Sequence, residues 1–226
     1  MPDPRPSATV ETICERIWLA IAERRLRPGA RLKEEQLAEI FEVSRARIRQ
    51  AFAMLERDGL ILLVPNRGAC VAEPTIDEAR DVFFARRAIE GRVVERLCAR
   101  IDAPGIARLR AHVEAERAAH AARDRSAIVR LSGAFHLLIA ELSGAGYLQQ
   151  VLRDLISRTS LITAVYQPQM VANCGPDEHA DLVEAIAAGH TARAVALMAA
   201  HLDHVERDID LQGAADPPRD LREALL

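Results

Sequence analysis

The sequence predicts a mainly α-helical protein in two parts, an N-terminal unit of three helices closed by a small β-hairpin and a C-terminal all-α bundle of about six helices. Three observations support this. Apolar residues recur at spacings of three and four along nearly the whole chain, in a composition dominated by alanine, leucine, arginine and glutamate. One stretch breaks that period: after Gly59, the runs LILLV (60–64) and ACVAE (69–73) flank the turn-like Pro65-Asn66-Arg67-Gly68. The other breaks (Asp102-Ala103-Pro104-Gly105, Asp124, Gly144-Ala145-Gly146, Gln167 to Gly175, and Gly189) leave helix-length segments between them.

In order, the first helix runs from about Thr9 to Leu26 and stops at Pro28-Gly29. The second covers about Lys33 to Phe41. The third begins with Ser44 as its N-cap and ends near Asp58. Two short helices joined by about three residues and followed by a hairpin make a winged helix-turn-helix. Pro74-Thr75 then opens the second part, Thr75 capping a helix with Asp77 and Glu78 in its first turn. Six helices are expected there, at about 76–101, 105–123, 125–143, 146–165, 176–188 and 190–211. The expected domains are 1–74 and 75–212, with a mobile tail over 213–226.

Composition excludes several classes. Of 226 residues, 50% are hydrophobic and 28% charged, with a net charge of -3, which describes a folded chain rather than a disordered one. No run approaches the roughly 18 apolar residues of a membrane span, and the N-terminus lacks the apolar stretch of a secretory signal, so a cytoplasmic location is expected. Cys14, Cys70, Cys98 and Cys174 form no CxxC pair, against both a zinc ribbon and a disulfide framework. Lys33 is the only lysine, so cationic contacts are arginine contacts, suited to phosphate, carboxylate or guanine.

On the third helix, Ile48, Ala51, Phe52 and Leu55 share one face, and Ala46, Arg47, Arg49, Gln50 and Ala53 the other, with Arg45 at the margin. Small residues between arginines and a glutamine let a helix enter the major groove while the long side chains reach base edges or phosphates. Ser44 and the helix N-terminus can take a phosphate. Such a face is also what a solvated charged surface looks like. The hairpin tip, Asn66-Arg67-Gly68, adds a cation where a wing would lie along DNA.

The run RPGARLKEEQLAEIFEVSRARIRQAFAMLERDGLILLVPNRGACVAE (27–73) resembles the DNA-binding domain of the GntR family of bacterial transcription regulators. It carries PG, L-x-E-x-x-LA, VSR-x-x-I-R, L-x-x-x-GL and P-x-RG at family spacing. The resemblance implies DNA contacts from Ser44, Arg45, Arg47 and Arg49, and from the wing around Arg67 and Gly68. Ala46-Arg47 stands where Thr-Pro is usual, and Gln50-Ala51-Phe52 where Glu-Ala-Leu is usual.

In the second part, His179 shares a stripe with Leu182, Val183 and Ile186, and His201 sits between Leu197 and Val205, so both point inward. His136 flanks an apolar face of Ile128, Leu131, Phe135, Leu138, Ile139 and Leu142, among small residues that leave room for a cavity. His112, His120 and His190 lie among charged or terminal positions and read as solvated, and His204 falls toward a polar edge. A single inward histidine is usually a hydrogen-bonded core residue. Three neutral imidazoles from separate helices suit zinc, nickel or a similar divalent ion, with an open position for water or an anion.

The stretches R-x-x-I-E (86–90), FH-x-x-I-x-x-x-SG (135–144), DEH-x-x-L-x-x-AI-x-x-G (177–189) and A-x-x-x-M-x-x-HL (194–202) resemble the FCD ligand-binding domain of the FadR subfamily. The match implies His136, His179 and His201 as ligands of a divalent metal, zinc above all. Ser132 stands where metal-binding members carry an aspartate ligand. Arg86 matches the family arginine and would suit a small carboxylate effector beside Ser132; equally, it forms an intrahelical ion pair with Glu90 four residues on. Arg158, Thr159, Ser160 and Thr163 place further polar groups on one apolar helix, and Cys174 precedes His179 by five residues.

The function expected from both halves is a ligand-responsive transcription regulator, a repressor binding a palindromic DNA operator as a homodimer and released by a small effector. Two alternatives stand beside it: a metal-dependent enzyme built on the three histidines, for which Asp177 and Glu178 project from other helix faces than His179 and no HExxH or nucleophile motif exists, and a purely architectural DNA-binding protein.

Overall fold

The computed structural model describes residues 8–22, 25–64, 68–166, 175–209 and 225. The chain divides into two compact units at Pro74/Thr75.

In the first unit, α1 (Val10–Ala22) buries Ile13, Ile17, Ala20 and Ile21, one stripe at helical spacing. The two-residue strand β1 (Arg31–Leu32) follows, then α2 (Glu34–Phe41), which buries Leu37 and Phe41. Glu42 closes α2 in the left-handed region (φ 54), its neighbour Val43 donating to Ala38 O at 3.0 Å. Then α3 (Arg45–Arg57) starts on Ser44, whose hydroxyl accepts from Arg47 N–H, and buries Ile48, Ala51, Phe52 and Leu55 against α1 and α2. Gly59 (φ 70) turns the chain into β2 (Ile61–Val64) and β3 (Gly68–Val71).

The hairpin is antiparallel, Ile61 opposite Val71 and Val64 opposite Gly68. Sequence periodicity missed β1, which pairs with the far edge of β3 and makes the sheet three-stranded in the order β1-β3-β2. Two residues are too short to carry an alternation, and only the partner strand makes them a strand. The turn at Pro65, Asn66 and Arg67 lies outside the described residues, as does the tail over 213–226 except for Leu225.

Among the described residues the second unit has six helices: α4 (Ile76–Cys98), α5 (Ala103–Ala122), α6 (Arg125–Leu142), α7 (Gly146–Tyr166), α8 (Pro176–Ala187) and α9 (Thr191–Arg207). A capping box starts α4, Thr75 Oγ1 accepting from Glu78 N–H and Glu78 accepting from Thr75 N–H. The Asp102–Gly105 break belongs partly to α5: Asp102 is its N-cap and Pro104 sits in its first turn, where a missing N–H costs nothing. Helix α4 packs on α6, α7, α8 and α9. Its buried stripe begins with Ala79, Val82 and Phe83 and ends with Val93, Val94 and Leu97, each set in a different apolar cluster. Between them lie two buried charges, Arg86 and Glu90. No helix among the described residues is long and apolar enough to cross a membrane.

Candidate nucleic-acid face and metal centre

Burial of Ile48, Ala51, Phe52 and Leu55 turns the opposite face of α3 to solvent. Ser44, Arg45, Ala46, Arg49, Gln50 and Ala53 are exposed there. Arg47 is half-buried, and its Nη1 donates to the carbonyl of Ala8 at 3.1 Å. Two arginines are held by α2: Arg45 Nη2 pairs with Glu35, and Arg49 Nε donates to Glu34 Oε2 at 2.9 Å. Because Ser44 uses an oxygen lone pair for the cap, its hydroxyl proton stays available to a phosphate. Gly68, at φ 80, is exposed at the foot of the wing, while Asn66 and Arg67 lie outside the described residues.

In the second unit His136 on α6, His179 on α8 and His201 on α9 converge, and one ligand atom from each lies within 4.8 Å of the others. All three are buried. Every ring has a carboxylate at Nδ1: Glu90 of α4 for His136 (2.5 Å), Glu116 of α5 for His179 (2.8 and 3.0 Å), and Glu178 of α8 for His201 (2.8 Å). A carboxylate accepts, so each Nδ1 carries the proton and each Nε2 presents a lone pair. Phe135 stacks on His179 at 3.9 Å between centroids and holds the ring's plane.

The arrangement fits a metal. His179 Nε2 and His201 Nε2 are 3.4 Å apart, close to the edge of a tetrahedron whose metal–nitrogen bonds are about 2.0–2.1 Å. Two lone pairs facing each other at that distance in a buried site repel unless a proton or a cation lies between them. Burial opposes the proton. It is the main cause that pulls His136 down to about 3, with Glu90 pulling the other way, and it holds His179 well below its ordinary value, helped by His201 and His112.

The carboxylates differ. Burial opposes the charge on Glu90, but Arg86 and His136 outweigh it and hold Glu90 at about 2. Hydrogen bonding from His201, then from His204, brings Glu178 to about 2. Glu116 is pushed up to about 7, chiefly by burial. Arg86 offsets the charge of Glu90 within the site.

Arg86 is an inward residue and an ion-pair partner at once. It bonds Glu90 through Nε (2.7 Å) and Thr159 Oγ1 through Nη1 (3.3 Å). Its Nη2 is the one buried side-chain nitrogen or oxygen without a hydrogen-bond partner among the described residues. Ser132 is half-buried one turn before His136 and makes no side-chain hydrogen bond among the described residues. On α7, the hydroxyls of Thr159, Ser160 and Thr163 bond carbonyls of their own helix, and Arg158 is exposed. Cys174 lies outside the described residues.

One histidine corrects its sequence reading. His112, expected to be solvated, is half-buried: Nε2 bonds Leu131 O at 2.9 Å and the ring tilts against Phe135. Its position among charged residues of α5 hid the fact that α6 covers it. Sequence reasoning also passed over Glu116, although Leu109, Val113 and Ala119 flank it on the buried stripe of α5. A glutamate on an apolar stripe was the available signal.

Residues 9–71 match the family model of the bacterial regulatory proteins of the gntR family, and residues 81–204 match the FCD domain. An HTH-type transcriptional regulator in an unstable DNA locus of Streptomyces ambofaciens is 30% identical over 200 residues, 85% of this chain and 81% of that relative. The HTH-type transcriptional repressor RspR of Escherichia coli is 30% identical over 116 residues, 51% of each chain. The chain thus spans about half the length of RspR in this match, and 58% of a Bacillus subtilis HTH-type regulator, YdhC. Among solved structures, a GntR transcriptional regulator from Rhodococcus sp. RHA1 shares the fold at a TM-score of 0.76 and 24% identity, covering 92% of this chain and 99% of that one.

Proposed function

The chain belongs to the GntR family of bacterial regulatory proteins and carries an FCD domain, a transcription regulator by family, and from this premise we propose that it is a metal-centred, ligand-responsive repressor. It binds a palindromic operator as a homodimer in the cytoplasm, and a small effector carrying a carboxylate releases it. The observation that carries the DNA half is the outward face of α3, where Arg45, Arg49 and Gln50 stand over a helix end capped by Ser44. In a homodimer the two copies of α3 are related by a twofold axis, which calls for two half-sites. That a relative of similar sequence is named a repressor favours repression.

His136, His179 and His201 would hold a divalent ion, zinc by the chemistry of three imidazole donors. When bound, such an ion would supply Lewis acidity toward an anionic group. The carboxylates of Glu90, Glu116 and Glu178 orient the rings through Nδ1 and supply the charge that Ser132, in the place of an aspartate, does not. Arg86 Nη2 is the protein's own anchor for an effector carboxylate. Carboxylates committed to orienting imidazoles are poorly placed as general bases, which weighs against hydrolysis at this centre.

Control requires differential affinity: the effector must favour the dimer arrangement whose recognition helices no longer match the half-sites. The test is selection of bound duplexes from random DNA by the full chain, with and without zinc. A short palindrome is the expected product, and no enrichment under either condition would remove the reading. For the effector it suggests, equal affinity with and without operator would remove ligand control.

A further inference from the structure

Two glutamates in the first turn of α2 each grip an arginine of α3, and they grip different nitrogens. Glu34 takes Arg49 by Nε, at 2.9 Å, while Glu35 takes Arg45 by Nη2. A guanidinium reads guanine by laying two parallel N–H groups on O6 and N7. With Nε tied back to Glu34, Arg49 keeps its terminal pair, Nη1 and Nη2, for that purpose. Among the described residues neither makes a hydrogen bond, and the side chain is 65% exposed. Arg45 is held the other way round, with one of its terminal nitrogens already on a carboxylate.

Exposed pairs of this kind contribute little to folding. Next to a polyanion they matter in another way. A carboxylate on the DNA-facing side weakens attraction to every duplex, and a long side chain that is ordered beforehand loses less freedom on binding. Together these effects favour discrimination over affinity, provided the arginine is aimed at something only certain sequences present.

We propose that Glu34 is a specificity-determining positioning residue: it aims the Nη1/Nη2 fork of Arg49 at a guanine. Glu35 has the other role, competing with a phosphate for Arg45 and so setting affinity without sequence preference. The proposal rests on the DNA-reading assignment of α3. Its rival is purely local, since a glutamate at the N-terminus of α2 also favours the helix dipole, and that role would not alter base preference.

The experiment selects duplexes from a random library with the full chain, its Glu34→Gln variant and its Glu35→Gln variant. The selected duplex is then remade with 7-deazaguanine, which lacks the N7 acceptor, at each guanine in turn. In the unsubstituted chain one guanine should show about tenfold discrimination against 7-deazaguanine. In Glu34→Gln that ratio should fall to near one while binding to an unselected duplex is unchanged or tighter. Glu35→Gln should tighten binding to selected and unselected duplexes alike and leave the ratio intact. Glu34→Gln combined with Arg49→Ala should discriminate no less than Arg49→Ala alone, as expected if Glu34 acts only through Arg49. Thermal midpoints close to the parent's confirm that each variant is folded.

A Glu34→Gln variant that keeps the tenfold ratio overturns the proposal and leaves the DNA-reading assignment standing. A selected motif whose guanines are all indifferent to 7-deazaguanine overturns it too. No selected motif at all removes the DNA-reading assignment, and this proposal with it.

Discussion

The carboxylate of Glu116 meets Nδ1 of His179 through both oxygens, at 2.8 and 3.0 Å, and both residues are buried. It fixes which nitrogen of His179 carries the proton, and so which one faces His201. Replacing Glu116 by glutamine removes the charge while keeping the shape. Zinc affinity should fall by about 10–100-fold, measured by competition with a chromophoric chelator. His179→Ala should lose stoichiometric uptake with the α3 unit still folded. Unchanged zinc affinity in Glu116→Gln would make that carboxylate structural only.

The buried histidines set the pH dependence of the metal-free chain. His136 (about 3) and His179 are both depressed, so below the ordinary histidine value of 6.5 the unfolded chain takes up protons that the folded one refuses. Their contribution is complete above pH 6.5 and is lost as pH falls. Glu116, raised to about 7, acts in the opposite sense between 7 and its ordinary 4.5, because there the folded state holds the extra proton. Two histidines against one glutamate leave a net excess of about one proton on the unfolded chain. Stability should therefore fall as pH drops from 6.5 to 4.5. Below 4.5 the loss steepens as the unfolded chain also takes the proton that Glu90, held at about 2, refuses. Urea titrations across this range check it, and a flat profile would contradict neutral buried imidazoles.

Arg86→Ala leaves the Glu90 carboxylate buried with only His136 as partner. The expected cost is about 3–5 kcal/mol, read as a lower urea midpoint. Arg110 is the control. Its two-point pair with Glu184 has bonds of 2.9 Å but both side chains are more than half exposed, so Arg110→Ala should leave the midpoint where it was. Equal losses from both variants would mean that burial does not decide the strength of these pairs.

Arg49→Ala should weaken binding to a selected duplex by roughly 1–3 kcal/mol while sparing unselected DNA. Ser44→Ala acts differently. It removes the cap of α3, at about 1 kcal/mol of stability, and one uncharged phosphate donor, which should weaken binding to selected and unselected duplexes alike and leave the salt slope unchanged. Filter binding to both duplexes, beside a urea midpoint, separates the two effects, and unchanged affinity for unselected DNA would take Ser44 off the phosphate contacts.

Local pattern was enough for much of this protein. The 3.6-residue period and Ser44 decided where α3 begins and which side of it faces out, because helix phase and capping depend on residues within one turn of each other. The same period turned His179 and His201 inward. Tertiary packing decided the rest. Glu90, Glu116 and Glu178 meet their histidines across 46, 63 and 23 residues, and no spacing rule links side chains on different helices. Arg31 and Leu32 became a strand only because β3 offered an edge, His112 was covered only once α6 lay beside it, and Arg47 turned from the outward face to the carbonyl of Ala8. Periodicity says which way a side chain points, whereas the partner it meets depends on how several helices share one core, and that is a property of the whole packed chain.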